Sequence, residues 1–162
     1  MKLTGSADAK HLTLAVVVSR YNDFVTDRLC EGAIEALRSA GAADDAIDVM
    51  AVPGAYEIPQ AALAAAGTGR YDAVVCLGCL IRGETPHFDY ISSSVAHGIM
   101  QASASTQVPM GFGVLTVDTA EQAMARAVPG PANKGYEAAM AAVEMATLRR
   151  AIRDAARPAA AR

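Results

Sequence analysis

Apolar runs of strand length alternate along the chain with longer stretches of helical period. Leu12 to Ser19 (LTLAVVVS) is almost wholly apolar, as in a parallel strand covered on both faces. Phe24 to Ala40 reads as a helix, with Val25, Leu29, Ala33 and Leu37 on one stripe and Gly41 just past its end. Ala46 to Val52 is a second strand, Pro53 to Glu57 its exit loop, and a helix follows to about Ala66. Gly67 and Gly69 punctuate the return to a third strand, Tyr71 to Gly78. A polar loop, Cys79 to His87, precedes a helix reaching about Thr106, and Pro109 to Thr116 is the fourth strand. Thr119 is placed to cap a short helix, which Val128-Pro129-Gly130-Pro131 ends. Asn133 opens the last helix, from Tyr136 to about Ala156.

This β(αβ)3 pattern with two closing helices predicts an α/β fold: a three-layer αβα sandwich, flavodoxin-like, with a doubly wound four-stranded parallel sheet and helices on both faces. Residues 12–157 form one domain, preceded by a flexible segment, 1–11, and followed by a frayed tail, 158–162. There is no internal repeat and no linker long enough to divide the chain. In such a sheet the loops at 20–23, 53–57 and 79–87, and the one after the fourth strand, gather at the carboxyl edge, where ligands bind.

Composition narrows the classes. Of 162 residues 52% are hydrophobic but only 5% aromatic, so the core is built from small and aliphatic side chains, and Ala-rich helices have apolar surface to share with a neighbour. The net charge of -3 and the absence of a basic cluster other than Arg149, Arg150, Arg153, Arg157 and Arg162 argue against nucleic acid; that group reads as dipole complement at a helix C-terminus. No apolar run approaches the roughly 18 residues of a membrane span, and the start of the chain lacks a signal peptide's apolar core. Three cysteines, an odd number, fit a reducing, cytoplasmic setting.

The loops carry a specific inventory. Tyr21 offers an aromatic plane. Glu57 offers a carboxylate, and Ala55, Tyr56 and Glu57 offer backbone groups. Arg82 and Thr85, with the amides around Gly83 and Glu84, make an anion-holding loop. His87 sits in that polar loop, and imidazole titrates near neutrality, at about 6.5, which suits proton transfer. Phe112 is a second aromatic expected near the same rim, and Arg126 lies near the end of the short helix. His97 and His11 read as structural or exposed. Cys76-Leu77-Gly78-Cys79 has redox-motif spacing but lies on a strand, where residues three apart face opposite sides. No further ligand at metal spacing accompanies it, so neither redox nor zinc chemistry is expected. Gly67-Thr68-Gly69 precedes a strand and lacks a third glycine, so it is no dinucleotide fingerprint.

Taken together, Ser19-Arg20-Tyr21-Asn22, Val52-Pro53-Gly54-Ala55-Tyr56-Glu57-Ile58-Pro59, the run from Leu77 to Asp89 (LGCLIRGETPHFD), Gly111-Phe112-Gly113 and Asn133-Lys134-Gly135 resemble the lumazine synthase family in order and spacing, from about Thr13 to Arg150. The resemblance implies condensation of 5-amino-6-(D-ribitylamino)uracil with 3,4-dihydroxy-2-butanone 4-phosphate, releasing phosphate, in the penultimate step of riboflavin biosynthesis. It implies no metal or organic cofactor. By position, Tyr21 would stack on the pyrimidine. The backbone at Ala55, Tyr56, Cys79, Leu80 and Ile81 would bind ring and ribityl edges, with Glu57 on ribityl hydroxyls. Glu84, Thr85 and Arg126 would hold phosphate, and His87 would transfer protons. Phe112 and Arg126 would arrive from a neighbouring subunit. The family's pentamers, free or assembled into icosahedral shells, are implied too, with riboflavin synthase a candidate protein partner. The uninserted turn at 128–132 favours the shell, although Pro129 and Pro131 bear on the helix angle there. Three positions depart from the family pattern: Tyr21 where Phe or Trp is commoner, Cys79 where Thr or Ala is frequent, and Pro86 ahead of His87. The alternatives are a non-catalytic paralogue that stores or encloses flavin or lumazine, and a phosphosugar-binding regulator of flavodoxin-like fold. The joint presence of Thr85, His87 and Arg126 argues against the first, because a flavin store needs no phosphate-eliminating site.

Overall fold

The computed structural model describes residues 1–156. Four strands, β1 (Leu14–Ser19), β2 (Ile47–Val52), β3 (Ala73–Ile81) and β4 (Met110–Val117), form one parallel sheet in the order β2-β1-β3-β4. The helices are α1 (Asp23–Ser39), α2 (Ile58–Gly67), α3 (His87–Thr106), the short α4 (Ala120–Ala125) and α5 (Lys134–Ala156). The expected three-layer architecture is present. The frayed tail expected at 158–162 lies outside the described residues.

Central β1 is buried throughout, and its alternation divides the core. Leu14, Val16 and Val18 face one layer with Leu29 and Leu37 of α1 and Ala139 and Val143 of α5. Ala15 and Val17 face the other, with Ile58 and Ala62 of α2 and Val95 and Ile99 of α3. This is why the run from 12 to 19 is apolar at every position rather than at alternate ones.

Small residues let α5 sit close to both the sheet and α1. A Cβ on Gly111 of β4 would lie 2.1 Å from the Ala138 carbonyl oxygen, and one on Gly135 would lie 2.0 Å from that of Leu29. Asn133, 1% exposed, caps α5: its Oδ1 accepts from the amides of Gly135 (2.7 Å) and Tyr136 (3.2 Å), and its Nδ2 donates to the Arg28 carbonyl (3.0 Å). The triplet from Asn133 to Gly135 is thus first a docking device for α5.

Residues 1–11, expected to be flexible, contain no helix or strand, yet several are tied down. The Ser6 amide donates to Thr147 Oγ1 at 2.8 Å, the Ala9 amide donates to the Ala40 carbonyl at 2.8 Å, and Ala9 is fully buried. Arg150 is also structural, donating to Asp72 (2.8 Å) and to the His11 carbonyl (3.1 Å). No helix among the described residues is long and apolar enough to cross a membrane.

Candidate active site

The chain leaves β1 for β2 on one side and later returns to β3 on the other, so the loops after β1 and β3 part over a crevice. A cavity of about 410 Å3 opens there. Its walls are Tyr21 and Asn22 after β1, Ala55 and Tyr56 after β2, the end of β3 at Cys79, Leu80 and Ile81, and Gly83, Thr85 and His87 beyond it.

Each wall has a local cause. The amides of Arg20 and Tyr21 donate to the carbonyls of Val52 (2.8 Å) and Pro53 (3.1 Å), prolonging the β1–β2 pairing into the loop. Asn22 then turns the chain in the left-handed conformation (φ 62°), which Asn tolerates better than most residues. Its carbonyl accepts from Val25 and Thr26 to start α1, and its Nδ2 donates to the Cys79 carbonyl at 2.9 Å. The turn leaves the Tyr21 ring 72% exposed as a free stacking surface.

After β2, Ala55–Glu57 forms one 3-10 turn, braced by the Glu57 carboxylate, which accepts from the Gly54 amide at 2.9 Å. Glu57 therefore faces a small adjoining groove with Tyr56 and Ser94, not the cavity wall. Glu84 is exposed and also lies off the wall.

β3 runs three residues past Gly78, so Cys79, Leu80 and Ile81 are strand, not loop. Their ladder partners Leu115, Thr116 and Val117 hold them there, and the Arg82 amide donates to the Val117 carbonyl at 2.9 Å. The true loop is 82–86. His87 is correspondingly the first residue of α3, exposed in the single chain, and not a loop residue. Among the described residues no acceptor meets the amides of Gly83, Glu84, Thr85 or His87. Four unpaired donors beside the N-terminus of a 20-residue helix are a group that could hold an anion.

Arg82, which the sequence offers for the same anion, does not line the cavity. Its Nε donates to Asp118 Oδ1 (3.1 Å), its Nη1 donates to Asp89 Oδ1 (3.1 Å), and its guanidinium stacks 4.4 Å from the Phe88 ring centroid. These bonds, first to Asp118 and then to Asp89, push its pKa up.

Phe112 and Arg126 lie elsewhere. Phe112 pairs with Cys76, well short of the strand end where Ile81 pairs with Val117, so it is not near the cavity rim as expected. With Arg126 it lines a second groove of about 480 Å3 along the outer strand, beside Lys134 and Glu137. Lys134 Nζ meets Glu137 at 2.7 Å, and Arg126 donates to the Gln122 carbonyl at 3.0 Å. Reading the sequence missed Lys134, Glu137 and Asn22 as lining residues. An Asn in a loop between strand and helix was the one local signal available, for the left-handed turn it permits.

The family model for 6,7-dimethyl-8-ribityllumazine synthase matches residues 11–150. The chain belongs to the lumazine synthase family. The match spans both grooves, so each is part of the lumazine synthase domain.

The three departures from the lumazine synthase pattern each have a definite place in the fold. Tyr21 lines the cavity and is largely exposed, so its ring is not packed into the core. The Cys79 side chain packs in the α1–α5 layer, so only its backbone faces the cavity and a thiol in place of Thr or Ala leaves the lining unchanged. Pro86 occupies the position just before α3, where its fixed φ (-65°) suits helix entry. The C-x-x-C pair divides between layers as strand geometry requires, Cys76 to the α2–α3 side and Cys79 to the other. Burial pushes their thiols up to about 12 and about 11, and Cys30 to about 11. Thiolate is the reactive form, so native protein at pH 8 is expected to react with a disulfide reagent at least about tenfold more slowly than unfolded protein. Fast labelling of two thiols in the native state would contradict that burial. No group of His, Cys, Asp and Glu able to hold a metal occurs among the described residues.

Proposed function

We propose that this chain is a working 6,7-dimethyl-8-ribityllumazine synthase, condensing 5-amino-6-(D-ribitylamino)uracil with 3,4-dihydroxy-2-butanone 4-phosphate. The observation that carries the reading is one cavity combining an exposed aromatic plane, Tyr21, a loop of unpaired amides at 83–87, and the His87 imidazole. In this reading the pyrimidine stacks on Tyr21, and its polar edges and the ribityl chain meet the backbone at Ala55, Tyr56, Cys79, Leu80 and Ile81. Phosphate rests on the amides of the loop and the Thr85 hydroxyl. Glu84 contributes its amide, since its carboxylate would repel the anion. Glu57 steadies the β2 turn and offers its remaining oxygen to ribityl hydroxyls only where the ribityl chain extends past Tyr56 into the adjoining groove.

The chemistry asks for proton movement and alignment. The uracil's primary amine adds to the ketone and water leaves to give an imine. Phosphate departs by elimination, and the ring closes with loss of a second water. In this reading His87 shuttles the protons of these steps. Holding two small reactants face to face supplies the larger part, up to about 7–11 kcal/mol. Arg126 and Phe112 complete the site from the next subunit's outer-strand groove, so the active unit is an oligomer, read as a pentamer that joins others in an icosahedral shell in the cytoplasm. Riboflavin synthase, which consumes the product, is the natural protein partner.

The test is a direct assay: both substrates with purified protein, lumazine followed by absorbance and fluorescence, against a blank without enzyme. A rate clearly above the blank is expected. His87→Ala should lose about 10²–10³-fold at most, the range of general acid–base assistance. A wild-type rate equal to the blank, from folded protein that still binds lumazine, would instead favour a storage or container role.

A further inference from the structure

Arg82 is the side chain that the sequence offers for anion binding and that the structure engages elsewhere. It stands between β3 and the anion loop. Its guanidinium reaches Asp118, the first residue after β4, and Asp89, in the first turn of α3. It also sits over the Phe88 ring, 4.4 Å from its centroid, and Phe88 lines the cavity with His87. One planar group therefore connects the end of β4, the start of α3 and an aromatic wall of the site. Asp118 is itself fixed, its amide donating to Gln122 Oε1 of α4 at 2.9 Å. The contacts are solvent-exposed, so each adds little to overall stability. Their value is geometric: a planar fork can satisfy two carboxylates and a ring face at once, which an ammonium cannot.

We propose that Arg82 is a positioning residue, a strap that fixes the first turn of α3, and with it His87 and the unpaired amides, against the end of β4. The catalytic consequence rests on the synthase reading above; the mechanical one does not. Two carboxylates on one guanidinium also leave no net positive charge there, so the anion is held by amides, Thr85 and the neighbour's Arg126, and Arg82 makes no direct bond to it.

The test uses full-length Arg82→Gln, Arg82→Lys and Asp118→Asn, with two readouts. In amide hydrogen exchange over residues 89–92, the first hydrogen-bonded amides of α3, Arg82→Gln is expected to exchange about tenfold faster than wild type or more, with Asp118→Asn moving the same way and Arg82→Lys lying between. In steady-state kinetics, Arg82→Gln should lower kcat about tenfold or more, because small misplacements of a reacting group are costly, with a smaller accompanying rise in KM for the butanone phosphate as the amides loosen. Unchanged exchange in Arg82→Gln and Asp118→Asn would overturn the strap. So would a loss confined to KM for the butanone phosphate, which would make Arg82 a phosphate ligand. A wild-type protein without synthase activity would overturn the proposed function, and the exchange comparison would still decide the strap. Asp118→Asn preserves shape and removes only charge, so the comparison survives if an Arg82 variant folds poorly.

Discussion

A His87→Ala chain and an Arg126→Ala chain, dissociated and reassembled together in equal amounts, are expected to recover about one quarter of wild-type activity, although each alone is reduced about 10²-fold. The expectation comes from where the two residues sit. His87 belongs to the cavity over β1 and β3, while Arg126 and Phe112 belong to the groove along the outer strand β4. If a site takes one half from each of two neighbouring chains, random assembly gives both intact halves to a site in one case in four. The experiment reads the activity of the reassembled mixture against the two parents treated alike. A mixture that merely averages its parents would mean that both residues act within one chain, and the inter-subunit site would fall. The same result would remove the reason for Arg126 to be free of the cavity in a single subunit.

Gly111→Ala is expected to be strongly destabilising, costing about 3 kcal/mol. Its new methyl would meet the Ala138 carbonyl oxygen at 2.1 Å and the Ala142 Cβ at 3.2 Å. Both belong to α5, which is held from its other side at Gly135 against the Leu29 carbonyl. Helix α5 thus has no room to step back, and backbone cannot swing aside as a flexible side chain can. The displacement would also alter the groove, because Phe112 follows Gly111 and Lys134 and Glu137 open α5. Gly67→Ala is the control: nothing lies within 4 Å of its Cβ, it ends α2, and a gain of up to about 1 kcal/mol is expected from helix propensity. Urea unfolding midpoints of the two variants should therefore move in opposite directions. If Gly111→Ala unfolds with the wild type, the close approach of α5 to β4 is wrong.

The layers were legible because hydrophobic pattern is a local property. An unbroken apolar run at 12–19 means burial on both faces, and the structure buries the strand from Leu14 to Ser19 throughout. The loops that build the cavity were legible for the same reason: polar residues, Gly and Pro interrupt the pattern where strands end. What local pattern did not encode were partners distant in sequence. Gly78 reads as a terminator, but β3 continues because β4 supplies Leu115 to Val117 as neighbours. Arg82 reads as an anion ligand until Asp118, 36 residues away, is seen to hold it. Phe112 could be placed on a strand but not at a height along it, since height is set by the pairing of Phe112 with Cys76. The Glu57 carboxylate looked available because its acceptor role toward Gly54 depends on a 3-10 turn within the exit loop.

The two grooves are unlike, and they open on different parts of one chain. Surfaces of that kind join head to tail. On the proposed reading, a closed ring of n chains completes n sites, whereas an open row of the same chains completes one fewer and leaves an unmatched half at each end. Activity per chain is then full in a closed ring and lower by one part in n in an open row of n chains. A point change that opens the ring should lower turnover number while leaving every intact site with unaltered affinity, and a stoichiometric titration with a tight inhibitor would register the deficit as missing sites.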